Sequence, residues 1–195
     1  MSLQEAVVAL RKGNFIILID HEKRENEGDL VLAAEKLTPE KLNGLLTIAR
    51  GVLCVPLTAA RVNELNIPMM VSSSTDKFFT PFTVSVDHRS TKTGVSVNDR
   101  ITTIRALIHP HSTSDDFLRP GHVFPLREHQ KGLKGRQGHT EASLELMRRA
   151  SLYPAAIIAE IMDEKGNMAN ISYLKKIGKK YKAPLVFIDE LMAHE

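Results

Sequence analysis

Two apolar runs, Phe15-Ile16-Ile17-Leu18-Ile19 and Leu30-Val31-Leu32-Ala33-Ala34, enclose the ten residues Asp20 to Asp29, of which five are acids. Each run is short and bounded by polar residues, which predicts buried strands. The connection sets Asp20, Glu22, Glu25, Glu27 and Asp29 against one Arg, one Lys and one His. Carboxylates this close repel one another unless cations lie among them, and Arg24 alone does not balance the charge. Two readings stay open on charge density alone. One is a solvated hairpin loop, ordinary between strands. The other is a loop holding a divalent metal together with a polyhydroxylated or phosphorylated ligand.

A chain of 195 residues is long enough for one domain with a real core. Apolar residues make up 43% and charged residues 25%, the values of a soluble globular protein. No apolar run approaches the roughly 18 residues of a membrane span, and the N-terminus lacks the basic and apolar blocks of a signal peptide, so no membrane partner is expected. Cys54, the one cysteine, excludes an intrachain disulfide and a multi-cysteine zinc site. A cytoplasmic setting is the expectation. The net charge is +3, but Trp is absent and aromatics are only 5%, which leaves little with which to stack bases. Lys175, Lys176, Lys179 and Lys180 fall at helical spacing and read as a solvated face. No nucleic acid is expected.

In chain order, Ser2-Leu3-Gln4-Glu5 is a capping-box pattern that opens a helix closed by Gly13-Asn14. Thr38-Pro39 opens a second helix to about Arg50. Val52 to Val55 reads as a short strand, Thr58 caps a brief helix, and Asn66 to Pro81 reads as loop. Phe82 to Val86 alternates like a half-buried strand. Ser96 caps a helix to about His109. A polar segment and a short apolar run, Val123 to Leu126, follow. Arg127 to Gly138 is a basic, glycine-containing loop. Thr140 is placed to cap the next helix, Ala155 to Met162 reads as a strand, Asn170 caps a last helix, and Leu185 to Ile188 closes the chain as a strand. Adjacent strands early and helix-separated strands late predict an α+β fold, an α/β sandwich whose mixed sheet carries helices on both faces of a single domain.

Beside the acidic loop, three places offer chemistry. Arg136-Gln137-Gly138-His139-Thr140 runs a basic loop into a helix start, where free N–H groups suit a phosphate; an ordinary cap with a surface His is the plainer reading. His122 follows a glycine and precedes an apolar run, and a lone His is more often structural. Glu160 lies inside the strongly apolar run Ala155 to Met162, where a buried carboxylate is costly unless partnered; a place on the exposed face or at the strand end is the commoner case. Cys54 reads as a small buried hydrophobe.

Four motifs lie in one order: Arg24-Glu25-Asn26-Glu27-Gly28-Asp29; Thr93-Gly94-Val95-Ser96 with Asp99-Arg100; Arg119-Pro120-Gly121-His122-Val123-Phe124-Pro125-Leu126; and Gly138-His139-Thr140-Glu141-Ala142. In them the chain closely resembles the 3,4-dihydroxy-2-butanone 4-phosphate synthases of riboflavin biosynthesis, over nearly its whole length. The resemblance implies conversion of D-ribulose 5-phosphate into 3,4-dihydroxy-2-butanone 4-phosphate and formate, with Mg2+ as cofactor and Mn2+ a credible substitute. It implies a homodimer with its sites near the interface, and a synthase domain over 1–195 with no fused cyclohydrolase. It places Glu25 and His139 as metal ligands, and His122, Glu160 and Glu27 as catalytic residues. Arg24, Glu25, Asp29, Arg136, Gln137, Gly138, His139, Thr140 and Glu160 become the substrate contacts.

The chain departs from the family's usual pattern in the Met70–Phe79 loop, where Phe78 lacks a hydroxyl that some members have. It departs again at Gln137 and in the basic Lys131–Lys134 stretch. A nucleotide- or RNA-binding module would explain the basic loop but leaves the acidic one without a purpose. A metal-dependent phosphosugar isomerase is the other alternative.

Overall fold

The acidic connection is a hairpin turn. β1 (Ile16–Ile19) and β2 (Gly28–Ala33) pair antiparallel, with Ile19 opposite Gly28 and Leu18 opposite Asp29. Asp29 therefore belongs to a strand, and the loop proper ends at Glu27. The computed structural model describes residues 3–193, so the expected capping role of Ser2 lies outside the described residues.

The other strands are β3 (Cys54–Leu57), β4 (Val86–His88), β5 (Phe117–Arg127), β6 (Ala156–Glu160) and β7 (Leu185–Phe187). Together they make a seven-stranded mixed sheet in the order β4-β5-β3-β6-β2-β1-β7. The pairs β1–β7 and β3–β5 are parallel, the remaining pairs antiparallel. The helices are α1 (Leu3–Arg11), α2 (Pro39–Ala49), α3 (Ala59–Glu64), α4 (Val97–Ile108), α5 (His139–Arg149), α6 (Ile171–Tyr181) and α7 (Ile188–Met192).

Both faces of the sheet are covered, as expected, and β1 shows why its sequence is apolar throughout. Ile16 and Leu18 point into a core shared with α1, α5 and α7, while Ile17 and Ile19 point into the opposite core with α2, α4 and α6. A strand buried on two sides has no polar face to display. The helix starts follow their capping residues: Thr38, Thr58, Ser96 and Asn170 each accept a hydrogen bond from the amide three residues on.

Four expectations need correction. Phe82 to Val86 is not a strand; Phe82 and Thr83 make only isolated bridges, and β4 starts at Val86. The amides there go to different neighbours, Thr83 N to the Pro125 carbonyl and Val84 N to the Pro68 carbonyl, so no continuous ladder forms. The segment before Val123 is part of one long strand, β5, interrupted at Arg119–Gly121, where its pairing with β4 shifts register. β3 begins at Cys54, not Val52, because the Val52 amide donates to a Glu160 carboxylate oxygen. The fifth helix starts at His139 with Gly138 as its N-cap, so Thr140 lies inside the first turn and caps nothing.

Candidate active site

The end of β1, the start of β2, the end of β6 and the N-terminus of α5 meet at one rim of the sheet. Asp20, the residue after β1, is buried and braces the loop from inside. Its Oδ1 accepts the Glu27 amide at 2.8 Å, and its Oδ2 accepts the Glu25 amide at 3.0 Å and Arg24 Nη1 at 2.9 Å. The same Nη1 lies 2.6 Å from Glu25 Oε2. The acidic loop is thus an ordered turn whose first carboxylate sets the positions of Glu25 and Glu27.

Glu25 Oε2 stands 3.6 Å from His139 Nδ1, and Asp29 Oδ1 stands 3.9 Å from His139 Nε2. Glu160 is directly across the β2–β6 ladder from Asp29. Its Oε2 is held by the Val52 amide at 2.8 Å. Gly51 makes that approach feasible, since a Cβ there would lie 2.4 Å from Glu160 Oε2 and 2.6 Å from its backbone oxygen.

Arg24, Glu25, Glu27, Asp29, His139 and Glu160 line one cavity of about 120 Å³, together with Thr80, Arg136 and Thr140. Its apolar wall is built by Val52, Cys54, Phe82, Leu126 and Ile158.

Burial in this cavity drives the charges. Desolvation pushes Asp29 up to about 7, against the pull of the His139 ring, with Glu160 and Glu25 adding to the rise. Desolvation, then Glu25 and Glu160, also raise Glu27. For His139 desolvation opposes the charge, but Asp29, Glu25 and Asp20 overcome it and hold the imidazolium up to about 9. Burial pushes Glu25 up as well, yet its bond to His139 and the Arg24 charge outweigh that, and it lies below its ordinary value. Cys54 is buried beneath these groups; desolvation, Glu160 and Asp29 push its thiol well up. It is a small apolar filler, as its type suggests.

The donor set fits a hard or borderline divalent cation. Asp20, Glu25 and His139 each offer a ligand atom, and these atoms all lie within 4.8 Å of one another. Both oxygens of Asp20 already accept backbone or Arg24 N–H groups, which leaves Glu25 and His139 freest to turn toward an ion. Asp29 Oδ1 and His139 Nε2 are buried without a hydrogen-bond partner, and buried polar atoms are seldom left so unless something else completes them. Oxygen and imidazole donors converge where a cation would relieve both the repulsion and the orphaned atoms.

The groups beside them suit an anion. α5 opens at His139 with no side chain capping its first N–H groups, and its first two residues line the cavity. A Cβ on Gly138 would lie 2.2 Å from Arg136 Nη1 and 3.2 Å from Arg24 Nη2, so two guanidinium groups close over that residue. Arg136 is held there by Glu141 Oε2 at 2.9 Å and by Thr80 Oγ1 at 3.3 Å. The Phe78 ring lies 5.3 Å from the Arg24 guanidinium carbon.

Two of the expected site residues are elsewhere. Gln137 is exposed and does not line the cavity. His122 also lies outside it, on β5, where its Nδ1 is 2.7 Å from Asp87 Oδ2 and its side chain is 45% exposed. The bracing role of Asp20 has no signal in the sequence, where it is one loop acid among five. Gly51, Thr80 and the Val52 amide likewise carry no side-chain signal of this chemistry. Among the described residues no helix is long and apolar enough to cross a membrane.

Comparison with known proteins agrees in one direction. Residues 4–194 match the family model described as 3,4-dihydroxy-2-butanone 4-phosphate synthase. The chain is 49% identical over 194 residues to the riboflavin biosynthesis protein RibBA of Phocaeicola vulgatus, covering 99% of this chain and 48% of that protein. It spans about half the length of the curated relatives it matches. Its fold superposes with a TM-score of 0.93 on a crystal structure of a 3,4-dihydroxy-2-butanone 4-phosphate synthase in complex with two magnesium ions, at 35% identity, covering 100% of this chain and 96% of that one. The synthase of Candida albicans gives a TM-score of 0.90 at 39% identity, covering 100% of this chain and 97% of that one.

Proposed function

Because the chain belongs to the 3,4-dihydroxy-2-butanone 4-phosphate synthase family, we propose that it is a lyase of riboflavin biosynthesis that converts D-ribulose 5-phosphate into 3,4-dihydroxy-2-butanone 4-phosphate and formate. The observation that carries the reading is the adjacency of two unlike sites in one cavity. A cation site at Glu25 and His139 lies beside an anion site at Arg24, Arg136 and the start of α5. A sugar phosphate needs both, one for its oxygens and one for its phosphate.

The reaction starts with removal of a proton from carbon next to a carbonyl. Loss of water, migration of a carbon that leaves an interior carbon as an aldehyde, and hydrolytic expulsion of that carbon as formate follow. Mg2+ at Glu25 and His139, or Mn2+ in its place, would stabilise negative charge on the substrate oxygens by several kcal/mol. Arg24, Arg136 and the α5 amides anchor the phosphate, with Gly138 leaving it room, and Asp29 and Thr140 orient the hydroxyl-bearing carbons.

Glu27, raised by burial and its acidic neighbours, accepts and returns a proton at its free carboxylate. A positioned group of this kind typically adds about 10²–10⁴ in rate. Glu160, fixed by the Val52 amide, takes a second transfer. The apolar wall of Val52, Phe82 and Ile158 excludes bulk water from the reacting carbons.

His122 serves as a further proton carrier, brought in by a second copy of the chain. It lies outside its own cavity, and exposed apolar side chains, Val95 at 46% and Leu118 at 51%, occur on the segments around it. This is a homodimer with the sites near the interface, working in the cytoplasm.

Purified protein given ribulose 5-phosphate and magnesium should release formate and the four-carbon phosphate in equal amounts, stopping on addition of EDTA and resuming with fresh metal. Formation of an isomer without formate would overturn the assignment.

A further inference from the structure

We propose that Asp87 is the positioning residue for His122, fixing the ring so that Nε2 faces outward as the proton acceptor; this rests on the reading of His122 as a proton carrier. Asp87 lies on β4 at the point where the pairing with β5 shifts register, and it is 7% exposed. Its Oδ1 accepts the His122 backbone amide at 2.9 Å, and its Oδ2 lies 2.7 Å from the ring Nδ1 of the same residue. One carboxylate therefore grips the main chain and the side chain of one histidine together.

The first contact is enough to tie the two strands. The second adds no new link between them, but it sets the ring's rotation and its tautomer. An ionised carboxylate can only accept, so the neutral ring carries its proton on Nδ1 and leaves the Nε2 lone pair turned away.

Two glycines are shaped around the pair. A Cβ on Gly94 would lie 2.0 Å from Asp87 Oδ2 and 2.6 Å from His122 Nδ1. A Cβ on Gly121 would lie 2.0 Å from the Val86 carbonyl carbon. Gly94 is drawn over the pair by its own amide, which donates to Asp99 Oδ2 at 3.2 Å. The inner end of the dyad is sealed, and only the outer nitrogen is left to work.

The test compares Asp87→Asn with His122→Ala in the full chain. Asn keeps an oxygen for the His122 amide but presents an N–H₂ to Nδ1, so the ring proton moves to Nε2. For Asp87→Asn, kcat should fall about 100-fold or more, with KM for ribulose 5-phosphate and affinity for Mn2+ within about threefold of the parent. Nitrogen-15 NMR of the wild-type protein should find the His122 proton on Nδ1, and on Nε2 in the variant. If His122→Ala stays active, the reading of His122 itself fails. If His122→Ala is inactive while Asp87→Asn keeps kcat within threefold, only the role of Asp87 fails. A wild-type ring protonated on Nε2 overturns the proposal without reference to activity or to the folding of any variant.

Discussion

Glu25 and His139 face each other at 3.6 Å, the carboxylate from the β1–β2 turn and the imidazole from the first residue of α5. Neither element contains the site alone. The core that packs α5 against the sheet is what brings them into range, so the two side chains can be changed without touching that core. Glu25→Gln and His139→Ala should each keep the far-ultraviolet circular dichroism of the parent. Each should lower Mn2+ affinity by about tenfold or more and formate release by about 10³, read by calorimetry and a formate assay. Near-normal turnover in either variant would remove it from the metal site.

A proton and a metal ion compete for His139. In the metal-free protein its pKa is up to about 9, against an ordinary value of 6.5. Below pH 9 a cation must therefore displace a proton, so affinity should rise as pH climbs toward 9 and fewer protons should be released there. Calorimetry in buffers of different ionisation enthalpy measures both. An affinity flat between pH 6.5 and 9 would contradict the assignment.

The same shifts govern stability without metal. The raised His139 pKa contributes stability that is complete below pH 6.5 and lost as pH rises through about 9. Asp29, raised to about 7 from 3.8, has the same sign and acts over that lower window. The urea midpoint in EDTA should fall as pH rises from about 4 to 9, and His139→Ala should flatten the upper half of that curve. A midpoint that rises across this range would have the sign wrong.

Gly138 sits beneath two flexible guanidinium groups, at φ −116 and without backbone strain. Gly138→Ala should therefore fold normally while displacing Arg136 and Arg24 from the anion site. KM for ribulose 5-phosphate should rise about tenfold, a loss typical of a misplaced anchor, with little change in Mn2+ affinity. An unaltered KM in steady-state kinetics would move the phosphate elsewhere.

Gly51 is different, because a Cβ there meets the Glu160 backbone at 2.6 and 2.8 Å. Backbone cannot step aside as an arginine can. Gly51→Ala should cost about 1–3 kcal/mol of stability and loosen Glu160, lowering kcat as well. A melting temperature equal to the parent's would refute the close packing.

Much of this was legible beforehand. A strand apolar throughout, as β1 is, announces a sheet covered on both faces, and a hydroxyl or amide side chain three residues ahead of a helical amide announces a cap. The residue types of the acidic loop and of His139 leave a solvated turn and an ordinary helix start open, and only the family resemblance assigns them a metal. What stayed hidden depended on partners distant in sequence. Phe82–Val86 alternates like a strand, yet its amides are claimed by Pro125 and Pro68. The placement of His122 outside the cavity and its grip by Asp87 arise from strand pairing that no local pattern encodes. In the sequence Asp20 is one more negative charge, whereas its burial and three accepted hydrogen bonds make it the brace of the loop.

Cys54 lies in the wall of the cavity, at the carboxylates' feet, with its thiol pushed well above its ordinary range by burial and by Glu160 and Asp29. Oxidants and alkylating agents attack the thiolate, and this sulfur holds its hydrogen. The carboxylates that crowd the cavity thus also hold its one thiol in the less nucleophilic form.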